Sequence, residues 1–335
     1  MQQEELDIIS SERFEVIKSM EGFVAERVDT YLKPVNECWQ PSDFLPETGT
    51  EDFSDQLRSL QERAQALPEE LLIVLIGDMI TEEALPTYQT YLNRLEGIGD
   101  QTGMSDSGWA RWSRGWSAEE NRHGDLLNRY LYLTGRVNMR SVETTIQNLI
   151  RDGFDPKTEN DPYLGFIYTS FQERATRISH RNVATLAKKA GDERLHKICG
   201  IIAGDEANHE AAYKAFMTRI FEIDPRGAIS AFATMMKKNI AMPGGAMYDG
   251  SDRQIFTKYA RVAQRIGVYT VGDYAEIIRD LVRHWNIERM KGLSDFAAEA
   301  QDYLCSLAER YERLAKRAIS GGTPAFSWIQ TPGGK

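Results

Sequence analysis

Glu120-Asn121-Arg122-His123 and Glu206-Ala207-Asn208-His209 decide how this chain folds. In each stretch Glu and His are three positions apart, a spacing that on a helix turns both side chains to one face. The flanking apolar residues keep the same period. Trp109, Trp112, Trp116, Glu120, His123, Leu127 and Tyr130 step by threes and fours, and so do Leu195, Ile198, Ile202, Glu206, His209, Tyr213, Phe216 and Ile220. Both pairs therefore stand mid-helix, on stripes that face a core.

The pattern alone is weak, because Glu193-Arg194-Leu195-His196 matches it too. Helical phase separates the matches. Glu193 precedes Glu206 by 13 residues, which at about 100° per residue turns it about 220° from the inner face. Glu193 and His196 are expected in solvent, in the first turn of their helix.

Two further acids stand on apolar faces. Glu82 shares a face with Leu71, Leu75, Met79 and Leu85, and Pro86 has no N–H for the carbonyl of residue 82, so the helix is expected to open beside that acid. Glu173 shares a face with Phe166, Thr169, Ser170, Thr176 and His180. In chain order the helices carry Glu82, then Glu120 with His123, then Glu173, then Glu206 with His209. This is the donor set of carboxylate-bridged di-iron or di-manganese bundles. Four carboxylates balance two ferrous ions in formal charge, and oxygen with imidazole suits iron or manganese. Asp205 points about 100° away from Glu206 and is placed to orient a ligating histidine on another helix. His180 and His284 lack the ligand spacing and read as ordinary helix-face histidines.

Around this centre the punctuation predicts an all-α chain. An amphipathic arm runs over 11–32 to Pro34, followed by an ordered loop from Cys38 to Pro46. Helices are expected from Pro68 to about Leu95, from a cap near Asp106 to Gly135, over 142–150, from Asp161-Pro162 to Gly191, and from Asp192 to Asp224-Pro225. Gly200 and Gly204 leave room for a neighbouring helix. Four more helices are expected over 228–240, 252–266, 272–290 and 294–319, with Phe296, Tyr303, Leu307, Tyr311 and Leu314 in their core. No stretch has the period of a sheet strand. The expected architecture is a ferritin-like di-iron four-helix bundle (about 68–224) embedded in one larger helical domain over 1–335. The N-terminal arm is 1–46, the C-terminal helices occupy about 228–320, and a Gly-rich tail covers 321–335.

Composition narrows the function. At 335 residues with 41% hydrophobic and 27% charged residues the chain buries a sizeable core, which excludes disorder. No apolar run approaches the roughly 20 residues of a membrane span. The net charge of −10 opposes attraction to nucleic acid or anionic membrane. Cys38, Cys199 and Cys305 are odd in number and far apart, which points to a reducing compartment. The N-terminus, Met1 to Leu6, has neither a signal-peptide apolar core nor an Arg/Ser-rich transit segment.

Longer blocks carry a more specific signal. They are Cys38-Trp39-Gln40-Pro41, the run from Gly77 through Glu82-Glu83-Ala84-Leu85-Pro86 to Gln89, Ala118-Glu119-Glu120-Asn121-Arg122-His123-Gly124-Asp125, Tyr163 through Glu173-Arg174-Ala175-Thr176, and Phe326-Ser327-Trp328-Ile329. Through them the chain closely resembles the plant acyl-acyl-carrier-protein desaturases of plastids, over nearly its whole length. The resemblance implies a di-iron enzyme that inserts a cis double bond into a saturated acyl chain on acyl carrier protein, using O2 and two electrons from reduced ferredoxin. It implies Glu82, Glu120, His123, Glu173, Glu206 and His209 as iron ligands, and Thr176 beside the oxygen site. Trp39 and Asp205 would carry electrons inward. It further implies a homodimer in the plastid stroma whose transit peptide has been removed. Acyl carrier protein is acidic, so a local basic rim is expected, with Lys33 a candidate. Where stearoyl enzymes carry methionine and threonine this chain has Tyr91 and Arg94, which would alter chain length or double-bond position if they bound the acyl slot. Δ9, Δ4 and Δ6 products all stay open at this level. A ferritin-like iron store, a radical-generating subunit and a metal-free structural bundle are the competing readings.

Overall fold

The computed structural model describes residues 2–315 and 322–330, with side chains from residue 11 onward. The arm comprises α1 (Gln2–Ser19), α2 (Glu21–Ala25) and α3 (Val28–Tyr31), so the single arm helix expected over 11–32 is broken twice. Then come α4 (Phe53–Ala66), α5 (Glu69–Glu83), α6 (Leu85–Leu92), α7 (Gly108–Thr134), α8 (Met139–Asp152), α9 (Pro162–Lys189) and α10 (Glu193–Ile223). The C-terminal part adds α11 (Pro225–Lys238), α12 (Ile255–Ile266), α13 (Val271–His284) and α14 (Asp295–Ala315). Among the described residues there is no strand, only an isolated bridge between Val137 and Ile329.

Three of the four long bundle helices, α7, α9 and α10, begin where side-chain oxygens satisfy otherwise unpaired backbone N–H groups. Ser107, one residue beyond the expected Asp106, accepts from the N–H of Ala110 at 3.1 Å and caps α7, and Gly135 ends it at φ 68°. Asp161 accepts from Tyr163 N–H at 2.8 Å, and Asp192 from Leu195 N–H at 2.9 Å. At Pro86 the chain does what the missing N–H demands. Helix α5 stops at Glu83, the N–H of Ala84 turns to the carbonyl of Thr81 at 3.3 Å, and α6 restarts at Leu85.

Helices α5, α7, α9 and α10 form the bundle. One end of its core is aromatic, with Trp109, Trp112, Phe166 and Phe216, and the other is aliphatic, with Leu75, Leu127, Ile198 and Ile202. Along α7 and α9 the chain runs from the aromatic to the aliphatic end, and along α10 it runs back. The acids and histidines fall at the level between them. Gly108 lets the arm cross α7 closely, since a Cβ there would lie 2.6 Å from the backbone nitrogen of Ala25.

Some expectations do not hold. Nothing comes within 4 Å of where Cβ atoms on Gly200 and Gly204 would stand, so no helix packs there. Phe296 is 65% and Leu314 46% exposed, although both continue the stripe of the buried Leu307. Helix α14 packs against α11, α13 and the turn at 287–289, and the side chains of Phe296 and Leu314 fall outside those contacts. Helix α4, which was not expected, is polar on most faces and buries only Leu60 and Ala64. Of the expected last helix and tail, residues 316–321 and 331–335 lie outside the described residues. Residues 322–330 do not hang free, because Trp328 is fully buried and donates from Nε1 to Thr145 Oγ1 at 3.1 Å.

Candidate metal centre

The break at Ala84 leaves Glu82 in the last turn of α5, pointing into the bundle and buried, as are Glu120, His123, Glu173, Glu206 and His209. These residues converge into two groups whose potential ligand atoms lie within 4.8 Å of one another. One is Glu82, Glu120, His123 and Glu206, and the other is Glu120, Glu173, Glu206 and His209. Glu120 and Glu206 belong to both, so each could contribute an oxygen to either group. His123 Nδ1 lies 3.1 Å from Glu120 and 3.3 Å from Glu206, and His209 Nδ1 lies 2.8 Å from Glu120.

The donors fit metal ions better than they fit one another. Buried polar atoms are normally hydrogen-bonded, yet Glu206 Oε1 and His209 Nδ1 face their neighbours at short range without a well-directed hydrogen bond. The protonation pattern reflects the same crowding. Burial, joined by the neighbouring carboxylates, pushes the carboxyls of Glu173 and Glu206 above the usual range. Burial opposes the charged form of Glu82 and Glu120 as well, but facing histidines overcome it and hold both carboxyls low. For His123 and His209, burial alone would favour the neutral ring, and the surrounding acids outweigh it and raise both well above the ordinary value. An ion entering either group would displace these protons.

A second layer holds the donors. The hydroxyl of Thr176 donates to Glu206 Oε2 at 2.6 Å. Trp39, buried in the loop after the arm helices, donates from Nε1 to Asp205 Oδ2 at 2.8 Å, and Asp205 lies 3.5 Å from His123 Nε2. The Trp39 indole also stacks on His123, with planes 8° apart. Lys33 Nζ sits 3.5 Å from Asp205, so it is tied to this layer and is not a free rim cation.

Four contributors escaped the sequence reading. His180 is no ordinary helix-face histidine: it is buried and donates from Nε2 to Glu82 Oε1 at 2.8 Å. Its position two turns from Glu173 was the available signal. Trp116 donates to Glu173 at 3.1 Å. Glu119 accepts from His209 Nε2 at 3.1 Å, and Arg122 lies between Glu119 and Asp205. The signal for Glu119 was its place immediately before Glu120, matching that of Asp205 before Glu206. His284 is exposed beside Thr218, Glu193 is exposed, and His196 is half-buried with its ring on the carbonyl of Ala184.

A cavity of about 420 Å³ opens from the carboxylates of Glu82, Glu120, Glu173 and Glu206 and from Thr176. Tyr88, Tyr91, Phe154 and Tyr168 line it further on, and its lining is mainly apolar. A Cβ on Gly165 would lie 2.7 Å from Leu95 Cδ1 and 2.9 Å from the Tyr91 hydroxyl, so any larger residue there would push both side chains aside. Arg94 does not reach this cavity. It is exposed, and lines an outer hollow with Lys157 and Glu159 that shares only Tyr91 and Phe154 with the cavity. Among the described residues no helix is long and apolar enough to cross a membrane.

Comparison with known proteins agrees with this geometry. The fatty acid desaturase family profile matches residues 12–330. The chain is 57% identical over 322 residues to the chloroplastic stearoyl-[acyl-carrier-protein] 9-desaturase of Spinacia oleracea, covering 95% of this chain and 81% of that one. It is 56% identical over 322 residues to the chloroplastic acyl-[acyl-carrier-protein] desaturase of Cucumis sativus, with the same coverage. Among solved structures, DesA2 from Mycobacterium tuberculosis H37Rv superposes with a TM-score of 0.54 at 20% identity, over 84% of this chain and 99% of that one. At that identity the likeness concerns the fold alone.

Proposed function

The chain belongs to the fatty acid desaturase family, and from that membership we propose that it introduces a cis double bond into a saturated acyl chain carried on acyl carrier protein. The observation that carries this reading is a mainly apolar cavity opening directly from the carboxylates of two overlapping four-donor groups. An acyl chain gains about 0.8 kcal/mol for each methylene taken from water, so such a slot both grips the chain and fixes which carbon meets the acids. The iron-store and radical-subunit readings account for neither the slot nor the family.

Glu82 with His123, and Glu173 with His209, would each hold one of two iron ions, with Glu120 and Glu206 shared. Bound there, iron supplies from O2 and two electrons an oxidant able to remove hydrogen from an unactivated methylene, which no acid–base side chain can do. The protein does the rest. The buried carboxylates and aromatic walls exclude water from the reacting carbons. Thr176 keeps a hydroxyl proton at Glu206 Oε2, beside the place where oxygen is reduced to water. Trp39, through Asp205 to His123, offers electrons a route inward from reduced ferredoxin. Tyr91 limits the slot and so contributes to chain length and double-bond position. We assign the protein to the plastid stroma as a homodimer, in keeping with the chloroplastic relatives.

The test supplies saturated acyl chains of several lengths on acyl carrier protein, with ferredoxin, reductant and O2, and locates the double bond by mass spectrometry. One length should give a single dominant cis product. No unsaturated product from any length would sink the assignment.

A further inference from the structure

The two histidines of the centre are held by acids that cross between helices. Asp205, on α10, lies 3.5 Å from Nε2 of His123 on α7, and Glu119, on α7, accepts from Nε2 of His209 on α10 at 3.1 Å. Each acid sits one residue before a ligand glutamate. A step of one residue turns it about 100° from the ligand face, toward the neighbouring helix. Glu119 and Asp205 are both buried, 3% and 1% exposed.

Two buried carboxylates so close together need a shared cation. Arg122 supplies it. Its side chain is buried, with Nη2 3.8 Å from Glu119 Oε1 and 3.5 Å from Asp205 Oδ2, and the guanidinium lies 5.0 Å over the Trp39 ring. The arm reaches the same two acids from outside. The backbone N–H of Lys33 donates to Glu119 Oε1 at 3.1 Å while its Nζ stands 3.5 Å from Asp205.

Resting on the di-iron reading above, we propose that Glu119 is the positioning residue of His209, as Asp205 is of His123, with Arg122 as the counter-ion of both. A carboxylate on Nε2 fixes the tautomer and the ring plane and makes Nδ1 a better donor to metal. The centre then has two matched halves, each with its own histidine–acid pair and both locked by one guanidinium. Losing Glu119 should therefore weaken the half of Glu173 and His209 and spare the half of Glu82 and His123.

The test is anaerobic titration of the metal-free full-length chain with 57-iron(II), with affinities read from binding isotherms and the two halves resolved as separate Mössbauer doublets. Wild type should take up two equivalents. In Glu119→Ala one equivalent should bind about 10- to 100-fold more weakly, the usual cost of a lost outer partner, with one doublet altered and the other unchanged. Asp205→Ala should alter the opposite doublet. Glu119→Gln should recover most of the affinity, because an amide oxygen still accepts from Nε2–H, and it keeps the test decisive if the alanine variant folds poorly. Two equivalents at wild-type affinity in Glu119→Ala, or equal weakening of both, would overturn the role of Glu119. Failure of wild type to bind iron at all would overturn the metal reading itself.

Discussion

The hydroxyl of Thr176 donates to Glu206 Oε2 at 2.6 Å and approaches the carbonyl of Glu173, its own residue i−3, at 3.0 Å. The first contact leads into the centre and the second anchors the side chain to its own helix. Thr176→Val keeps the shape and removes the hydroxyl, so both ferrous ions should still bind while turnover falls by roughly tenfold, the equivalent of one hydrogen bond to a charged acceptor. Thr176→Ser should keep most of the activity. Iron content and turnover measured on the same preparations check this, and a valine variant with full turnover contradicts it.

The metal-free protein should lose stability as pH rises. Raised His123 and His209 stabilise the folded chain fully below about 6.5, the ordinary imidazole value, and lose that contribution as pH climbs through their folded values. Glu173 and Glu206, also raised, act in the same direction from the ordinary carboxyl range upward. Glu82 and Glu120, held low, contribute only above that range and lose their contribution in acid. The metal-free melting temperature should therefore peak in mildly acidic buffer and fall as pH rises above about 6.5, the ordinary imidazole value. Loading with ferrous iron should release protons and flatten or reverse that slope. Calorimetry of both forms across pH decides the matter.

Much of this centre was legible because helical phase carries chemistry. The period that put Glu120 and His123 among tryptophans also removed Glu193, and Pro86 announced the break that frees Glu82. What escaped was contact between helices. His180, Trp116 and Arg122 act on residues of other helices, and spacing within one helix says nothing of what faces it across a bundle. Phe296 and Leu314 failed for a related reason, since their stripe is correct and what covers it is decided by other elements. Arg94 stands one turn after Tyr91, yet the turn past α6 carries it to the outside.

Tyr91 and Arg94 make opposite predictions for selectivity. Tyr91 lines the cavity, so Tyr91→Ala should deepen it and shift preference toward longer acyl chains. Each added methylene is worth about 0.8 kcal/mol, or roughly fourfold in kcat/KM. Arg94→Thr should leave the chain-length profile as it is in wild type. Competition between acyl carrier protein substrates differing by two carbons reads both variants, and an Arg94 variant that changed the profile would place that side chain in the slot after all.

The last prediction concerns the segment after α14. Trp328 is fully buried against the aliphatic end of the bundle, its Nε1 donates to Thr145, and its carbonyl accepts from the N–H of Asn138 at 2.8 Å. Gln330 N–H adds a bond to the carbonyl of Arg136 at 2.9 Å. The indole therefore pins the entry to α8, and Trp328→Ala leaves a cavity that helices on either side cannot close. Removing a buried tryptophan usually costs about 3–5 kcal/mol, and the terminal segment can relieve part of that by peeling away, so about 3 kcal/mol is expected. Denaturant midpoints should report it, and amide exchange should rise first around 136–145. Iron content and turnover should hold at low temperature, because none of the six proposed ligands lies on α8. An alanine variant as stable as wild type would mean that the indole packs without bearing on the fold.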